Sequence, residues 1–144
     1  MRRFPKYKSP IRLNIGSGSN PGKGCINIDN RDLGDNMVWD INEGLPFPDD
    51  SVDGIFASHV IEHLTDNDSL EFLRECLRVL IQGHQVKIVC PHVLSPWAFY
   101  PGHLSFWNEH RVDAIQRLEH PLPDFALIEN RKEENELLFT LVKK

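Results

Sequence analysis

A glycine turn and a carboxylate follow the first two apolar segments of the chain. Leu13-Asn14-Ile15 runs into Gly16-Ser17-Gly18, and Ile26-Asn27-Ile28 ends at Asp29. Glycines after a parallel strand let the backbone approach a ligand closely, and an acid ending the next strand can accept hydrogen bonds from both hydroxyls of a ribose. These residues predict a site for an adenosine-like ligand.

The spacing of the glycines distinguishes a phosphate-free ligand from a dinucleotide. The pattern Gly-x-Gly-x-x-Gly would need a third glycine where Pro21 stands, and no helix pattern follows to aim N–H groups at a pyrophosphate. NAD and FAD are therefore disfavoured, and an oxidoreductase function with them. S-adenosylmethionine, which carries no phosphate, is the cofactor that we expect.

Short apolar segments predict the parallel strands that would position this site. They are residues 11–15, 25–28, 37–39, 54–57 and 85–90. Between the last two, Leu70, Leu73, Leu77 and Leu80 recur at helical spacing. Asp68 and Glu71 are spaced as a capping box, and Gly83 is placed as the C-terminal stop.

Two apolar segments near the end of the chain, 125–129 and 137–142, flank the charged turn 130–135 and predict an antiparallel hairpin. The fold class that follows is α/β: a Rossmann-like, mostly parallel sheet with helices on both faces and a C-terminal hairpin. Only residues 17–24 separate Gly16 from Cys25, too few for a helical crossover, so the first crossover helix is abbreviated. The second strand then either pairs in parallel through a compact loop or is antiparallel.

Length and composition suit one domain. We expect a basic N-terminal arm over residues 1–10, solvated through Arg2, Arg3, Lys6 and Lys8, and a single domain over 11–144. The net charge of -5 disfavours a nucleic-acid partner. Three cysteines imply no disulfide framework, and no apolar run is long enough for a membrane span, which predicts a cytoplasmic protein.

An ordered series of motifs then resembles a known family. The series is Leu13–Gly18, Ile26–Asp29, Trp39-Asp40, Leu45–Asp53 and Ala57–Leu64. Together these look like the class I S-adenosylmethionine-dependent methyltransferases, particularly the small ones of type 11. The resemblance covers roughly residues 11–91, and it departs from the family at Ile81-Gln82-Gly83-His84, where relatives favour a Pro-Gly-Gly turn.

The resemblance implies a role for eight residues. Gly16, Ser17 and Gly18 would contact the amino acid part of the cofactor; Asp29 would bind the ribose; Asp40 with Ile41 would bind the adenine; Ser58 with His59 would line the pocket. From the residues alone, Asp29 and Asp40 are also plausible turn formers. Glu62 is interpreted as a helix cap or loop anchor, and His63 stays undecided between that role and the ligand.

The segment 91–123 follows the fifth strand and is rich in aromatic residues and histidine, so it is the predicted acceptor site or lid. His92, and then His103, are the candidates for a general base. No His-x-x-x-His pattern lies on a convincing helix and no Cys-x-x-Cys pair occurs, which predicts no metal site. The predicted function is methyl transfer to a small-molecule or sugar-like acceptor, releasing S-adenosylhomocysteine. The alternative is a non-catalytic protein of the same fold that serves as a cofactor-binding regulator or partner subunit.

Overall fold

The computed structural model describes residues 6–144, so Arg2 and Arg3 of the predicted basic arm lie outside the described residues. Seven strands form one sheet in the order β3-β2-β1-β4-β5-β7-β6. The strands are β1 Arg12–Ile15, β2 Ile26–Asp29, β3 Met37–Val38, β4 Gly54–Ser58, β5 Gln85–Pro91, β6 Phe125–Glu133 and β7 Glu136–Lys143. The helices are α1 Asp66–Val79 and α2 Glu109–Ala114, with 3₁₀ turns at Ile41–Glu43, Ile61–His63, Pro96–Phe99 and Ile115–Arg117.

The first five strands are parallel and β7 is antiparallel to both β5 and β6, which confirms the predicted mostly parallel Rossmann-like sheet with a C-terminal hairpin. The hairpin turn is shorter than predicted, because β6 continues through Arg131 to Glu133. Arg131 pairs with Glu129 and Glu133, which stand two residues away on the same side of the strand. Among residues 6–144, no helix is both long and apolar enough to cross a lipid bilayer.

The link between β1 and β2 is a compact loop, and the two strands are parallel. Their register pairs Leu13 with Ile26 and continues to the end of β1. Side-chain amides hold the loop in place of a helix: Asn14 Nδ2 donates to the carbonyl of Asn20 at 3.1 Å and to Asn27 Oδ1 at 2.9 Å. The N–H of Gly22 donates to the same Asn27 oxygen at 2.7 Å. These bonds explain how a crossover this short is possible.

The helix α1 begins one turn earlier than the predicted capping box. Its N-cap is Thr65, whose hydroxyl accepts from the N–H of Asp68 at 3.1 Å. The predicted cap at Asp68 and Glu71 is therefore wrong; Glu71 instead lies 3.4 Å from Arg74 Nε. The predicted leucine face is confirmed in the core by Leu73, Leu77 and Leu80, which are fully buried.

The distribution of the helices differs from the expectation of helices on both faces. Core residues of α1 and α2 join a single cluster with alternate residues of the strands, such as Leu13 in β1 and Phe139 in β7. The intervening strand residues Asn14, Phe56, Lys87 and Thr140 form a row across the opposite face, outside that cluster. In the part of the chain that the structure describes, both α-helices thus cover one face, because the loops joining β1, β2 and β3 are too short to hold others.

Candidate functional site

The glycine turn binds the end of β1 to β2. The N–H groups of Gly16 and Ser17 both donate to the carbonyl of Ile28, at 2.7 and 3.2 Å. Gly16 has φ +68°, and a Cβ placed there would lie 2.3 Å from Val60 Cγ2. Both the backbone conformation and the lack of space therefore require glycine at this position. Gly18, at φ +48°, turns the chain again.

Asp29 ends β2 as a buried carboxylate with several donors. It accepts from the N–H of Gly18 at 3.1 Å, and from the N–H and Nε of Arg31 at 3.0 and 3.1 Å. Burial raises the pKa of Asp29, but the hydrogen bonds from Arg31 and Gly18 outweigh it and hold the pKa below its usual value. The group is ionised at neutral pH. The turn-forming role considered from the sequence is therefore part of what this carboxylate does.

Asp40 and Ile41 follow β3 at the start of a 3₁₀ turn. The Asp40 carboxylate accepts from the N–H of Asn42 at 2.9 Å and caps the turn. Trp39, just before it, donates from Nε1 to the carbonyl of Gly44 at 2.7 Å. The capping role weighed for Asp40 is thus present, and the carboxylate remains exposed.

These residues line a cavity of about 560 Å³ at the carboxyl ends of the strands. Five of the eight predicted cofactor residues share its wall: Gly16, Asp29, Asp40, Ile41 and His59. The other three, Ser17, Gly18 and Ser58, line a neighbouring cavity of about 860 Å³, in which Gly16 and His59 also take part. The two cavities adjoin at these shared residues. The cavity of about 860 Å³ extends to the sheet face that no α-helix among residues 6–144 covers, where Asn14 and Phe56 line it.

His59 stands at the junction of the cavities with a positive φ of 58°. Its Nδ1 lies 3.3 Å from Glu62 Oε2, and its Nε2 lies 3.1 Å from Glu136 Oε1. The carboxylate of Glu62, together with that of Glu136, raises the pKa of His59 to about 9 against the opposing effect of partial burial. His59 is therefore a cation at neutral pH.

The two predicted bases do not line either cavity. His92 is 3% exposed, accepts from the N–H of Leu94 at Nδ1, and contacts Glu109 through Nε2. His103 is half-buried, and its Nδ1 donates to the carbonyl of Ala98 at 3.1 Å. Its ring centroid lies 4.7 Å from that of His63, which does line the cavity with Asp29.

Sequence reasoning missed two residues of the site. Arg31 donates a side-chain hydrogen bond to the carboxylate of Asp29. The side chain of Val60 fills the space that a Cβ at Gly16 would need. Arg31 follows Asp29 by two residues, and this spacing was the one signal in the sequence for an ion pair between them. Nothing in the sequence indicated that Glu136, far along the chain, would reach His59.

Comparison with known proteins shows what the part of the chain that carries this site is similar to. The family described as methyltransferase domain matches residues 25–86, which include Asp29, Asp40, Ile41, Ser58 and His59. This part of the chain is therefore similar to methyltransferase domains. This result confirms the family resemblance expected from the sequence, and the sheet order supports it.

A curated relative and several solved structures agree with the assignment. Ajmaline N-methyltransferase from Rauvolfia serpentina is 33% identical over 91 residues, covering 61% of this chain and 28% of the relative. The chain thus spans little more than a quarter of that enzyme's length. A SAM-dependent methyltransferase from Archaeoglobus fulgidus has a TM-score of 0.69 at 17% identity, with 93% of this chain and 86% of the other covered.

The 1,6-didemethyltoxoflavin-N1-methyltransferase of Burkholderia thailandensis, solved with S-adenosylhomocysteine, has a TM-score of 0.70 at 14% identity. That match covers 93% of this chain and 71% of the other. At these identities, the solved structures establish only that this chain shares their fold.

Proposed function

We propose that this chain binds S-adenosylmethionine in the cavity of about 560 Å³ and transfers its methyl group to a small-molecule acceptor. The observation that carries the proposal is the convergence of Gly16, Asp29, Asp40, Ile41 and His59 on that one cavity. Its volume lies in the range of about 300–1,000 Å³ that small ligands occupy in proteins. The matched family and the fold of SAM-dependent methyltransferases support the same cofactor.

Each wall of the cavity suits one part of the cofactor. The ionised carboxylate of Asp29 would accept hydrogen bonds from the ribose hydroxyls, and that of Asp40 would accept from the adenine amino group beside Ile41. The bare backbone at Gly16 would allow close approach of the methionine part, whose carboxylate the cationic His59 would attract. Ser17, Gly18 and Ser58 would contact the cofactor from the adjoining cavity.

The acceptor would lie between the cofactor and the segment 91–123. This segment exposes large aromatic side chains: Trp97 at 56%, Phe99 at 66% and Tyr100 at 59%. Backbone N–H groups of Leu104 and Ser105 donate to the carbonyl of Glu62 at 2.7 and 3.2 Å, which places the segment beside the cavity. Two of the similar proteins are named as N-methyltransferases of small molecules, which supports an acceptor of that class.

Methyl transfer from a sulfonium is an in-line displacement, so alignment of donor and acceptor matters more than acid–base chemistry. Where the acceptor is a hydroxyl or a protonated amine, a base must remove a proton, and His92 and His103 remain the predicted candidates. Both can be tested singly: if His92→Ala retains full turnover, His92 is not the base. A location in the cytoplasm also remains a prediction.

Calorimetric titration with S-adenosylmethionine and S-adenosylhomocysteine tests the proposal. We expect both to bind the native chain, and Asp29→Asn to weaken binding by about 10- to 100-fold, since hydrogen bonds to a charged acceptor are lost. Asp113→Asn, at an exposed carboxylate paired with Arg117, is the matched control and should bind as the native chain does. Absence of heat with either ligand would contradict the proposal.

Turnover separates the enzyme from the alternative of a cofactor-binding partner subunit. A panel of small amines and hydroxyl compounds is incubated with the chain and S-adenosylmethionine, and release of S-adenosylhomocysteine is measured. Release above the acceptor-free rate, abolished in Asp29→Asn, supports methyl transfer. Tight cofactor binding without any such release would favour the non-catalytic role.

A further inference from the structure

A cluster of metal-ligating side chains lies beside the cofactor cavity. One ligand atom from each of Glu62, His63 and His103 can be chosen so that all three lie within 4.8 Å of one another. Glu62 and His63 belong to the 3₁₀ turn after β4, and His103 comes from the segment after β5. Hydrogen bonds from Leu104 and Ser105 to the carbonyl of Glu62 hold the two elements together.

The carboxylate of Glu62 is the unusual member of the cluster. Glu62 is 2% exposed, and neither of its side-chain oxygens has a hydrogen-bond partner among the described residues. The nearest cationic atom is His59 Nδ1 at 3.3 Å, and His59 is shared with Glu136 on its other nitrogen. Burying an ionised carboxylate is costly unless cations or donors surround it. His59 supplies one charge that it shares with Glu136, and a bound cation would supply the rest.

The two imidazole rings of the cluster can each offer a nitrogen to a metal ion. Nδ1 of His103 donates its proton to the carbonyl of Ala98 at 3.1 Å, which leaves Nε2 with a free lone pair. Metal-bound histidines commonly have such a bond from the other ring nitrogen to a backbone carbonyl. The ring of His63 is exposed, and its described contact is the edge-to-face approach to His103, at an interplanar angle of 85°.

We propose that Glu62, His63 and His103 bind a divalent transition-metal cation such as Zn²⁺. Two imidazoles with one carboxylate suit zinc and its neighbours in the first transition row, whereas Mg²⁺ and Ca²⁺ take oxygen ligands. Ligand atoms of a tetrahedral zinc site lie about 3.3 Å apart, from metal–ligand distances of about 2.0–2.1 Å. Side-chain rotation of the exposed His63 and half-buried His103 can close the gap from 4.8 Å.

Three protein ligands leave a fourth position of a tetrahedral cation for water or for an oxygen or nitrogen of the acceptor. In this arrangement His103 is a ligand and not the general base. The sequence predicted no metal site because two ligands are adjacent residues and the third comes from another loop, so no regular ligand spacing exists. The proposal concerns metal binding alone and does not depend on methyl transfer.

Calorimetric titration of the chelator-treated, tag-free chain with Zn²⁺ tests the site in the absence of cofactor and acceptor. We expect saturable binding of one ion, and a loss of affinity of at least about 100-fold in His63→Asn and in His103→Asn. Even loss of a residue that only supports a ligand costs about 10- to 100-fold. His110→Asn, at an exposed histidine outside the cluster, is the matched control and should bind as the native chain does.

Two further measurements distinguish loss of Zn²⁺ binding from loss of the folded structure. Zn²⁺ should raise the melting temperature of the native chain and of His110→Asn, but not that of His63→Asn. Glu62→Gln, which keeps the shape of the buried side chain, should also lose binding; if it fails to fold, the two histidine variants decide. Native affinity in both His63→Asn and His103→Asn, or equal loss in His110→Asn, would overturn the proposal.

Discussion

At the scale of single residues, Asp29 already has donors on both carboxylate oxygens before any ligand arrives. Arg31 supplies most of them, and its side chain is 66% exposed. A ribose that binds Asp29 must therefore compete with this guanidinium, whereas the backbone N–H of Gly18 can remain in place. If the cofactor binds as proposed, breaking the ion pair of Arg31 lowers its affinity.

Arg31→Ala should consequently tighten the binding of S-adenosylhomocysteine by about two- to fivefold, the range expected for release of one exposed ion pair. Calorimetry measures the change. Arg117→Ala is the matched control, because Arg117 is also 66% exposed and pairs with a carboxylate, that of Asp113, outside the cavity. Weaker binding in Arg31→Ala would show that the guanidinium contacts the cofactor instead of competing with it.

Gly16 and Gly24 form a natural pair for separating backbone strain from crowding. Both have positive φ, +68° and +71°, but an added Cβ meets Val60 Cγ2 at 2.3 Å only at Gly16 and nothing within 4 Å at Gly24. Gly24→Ala should cost about 1–2 kcal/mol of unfolding free energy from strain alone. Gly16→Ala should cost about 1–3 kcal/mol more through overpacking.

Urea denaturation of the two glycine variants measures these costs, and calorimetry measures their cofactor affinity. Gly16→Ala should also lose cofactor binding, since the methyl group displaces the backbone that closes the cavity. Equal destabilisation by both substitutions would mean that Val60 moves aside freely and that crowding at Gly16 is unimportant.

The positions of the glycine turn and of the strand-ending acids were predictable, because each follows directly from where an apolar strand ends. Gly16, Asp29, Asp40 and Ile41 duly lie on one cavity. The contacts of His59 with Glu62 and Glu136 were not predictable, since they depend on side-chain directions and on how close the hairpin approaches β4. Pairing between distant elements leaves no periodic trace in a sequence.

At the scale of elements, the contact between the 3₁₀ turn Ile61–His63 and the segment after β5 positions both the cavity wall and the metal cluster. Buried Ser105 joins the two: its Oγ donates to the carbonyl of Ile61 at 2.9 Å and accepts from Trp107 Nε1 at 2.9 Å. Trp107 in turn stacks on Phe139 of β7. A single hydroxyl thus connects the turn, the segment and the core.

Ser105→Ala should lower the free energy of unfolding by about 1–3 kcal/mol, because the indole N–H of Trp107 and a buried carbonyl lose their partner. Ser51→Ala is the control: the Ser51 hydroxyl also donates to a backbone carbonyl, that of Pro48, but in an exposed turn where water replaces it. That change should cost less than about 0.5 kcal/mol. Urea denaturation followed by tryptophan fluorescence compares them; equal costs would contradict the anchoring role.

The sequence predicted the strands to within one or two residues at most ends, because each is a short apolar run with a clear stop. It placed the cap of α1 wrongly, since Thr65 and Asp68 both have side chains able to cap and only the structure shows which hydroxyl accepts. The sequence also left open whether β2 is parallel to β1, because the side-chain hydrogen bonds that hold the short crossover cannot be recognised in it. In the sequence, Asn14 and Asn27 are ordinary polar residues. Only the structure shows that their side-chain amides pair with each other and hold the crossover.

At the scale of the whole molecule, the sheet has two unequal faces. One face packs against α1 and α2, and the other has no α-helix among residues 6–144. The row on this second face mixes apolar and polar side chains, including Asn14, Phe56 and Lys87. Predicting helices on both faces followed from the apolar strands. The alternate residues of β1, Arg12 and Asn14, are polar, and in retrospect they were the signal for one uncovered side.

Substitution of two phenylalanines on interior strands tests the difference between the two faces of the sheet. Phe139 in β7 is fully buried on the helix-covered face, whereas Phe56 in β4 is 42% exposed on the other. Phe139→Ala should cost about 3–5 kcal/mol of unfolding free energy, because it leaves a cavity beside Trp107. Phe56→Ala should cost no more than about 2 kcal/mol, since less apolar surface returns to water and no cavity forms.

Urea denaturation of the two phenylalanine variants at several protein concentrations gives both free energies. If Phe56→Ala costs as much as Phe139→Ala, the second face is covered in solution. A cost that rises with concentration would then identify the cover as a second copy of the chain, because association makes stability depend on concentration. A small, concentration-independent cost for Phe56→Ala would instead establish that the helices on one face alone stabilise the sheet.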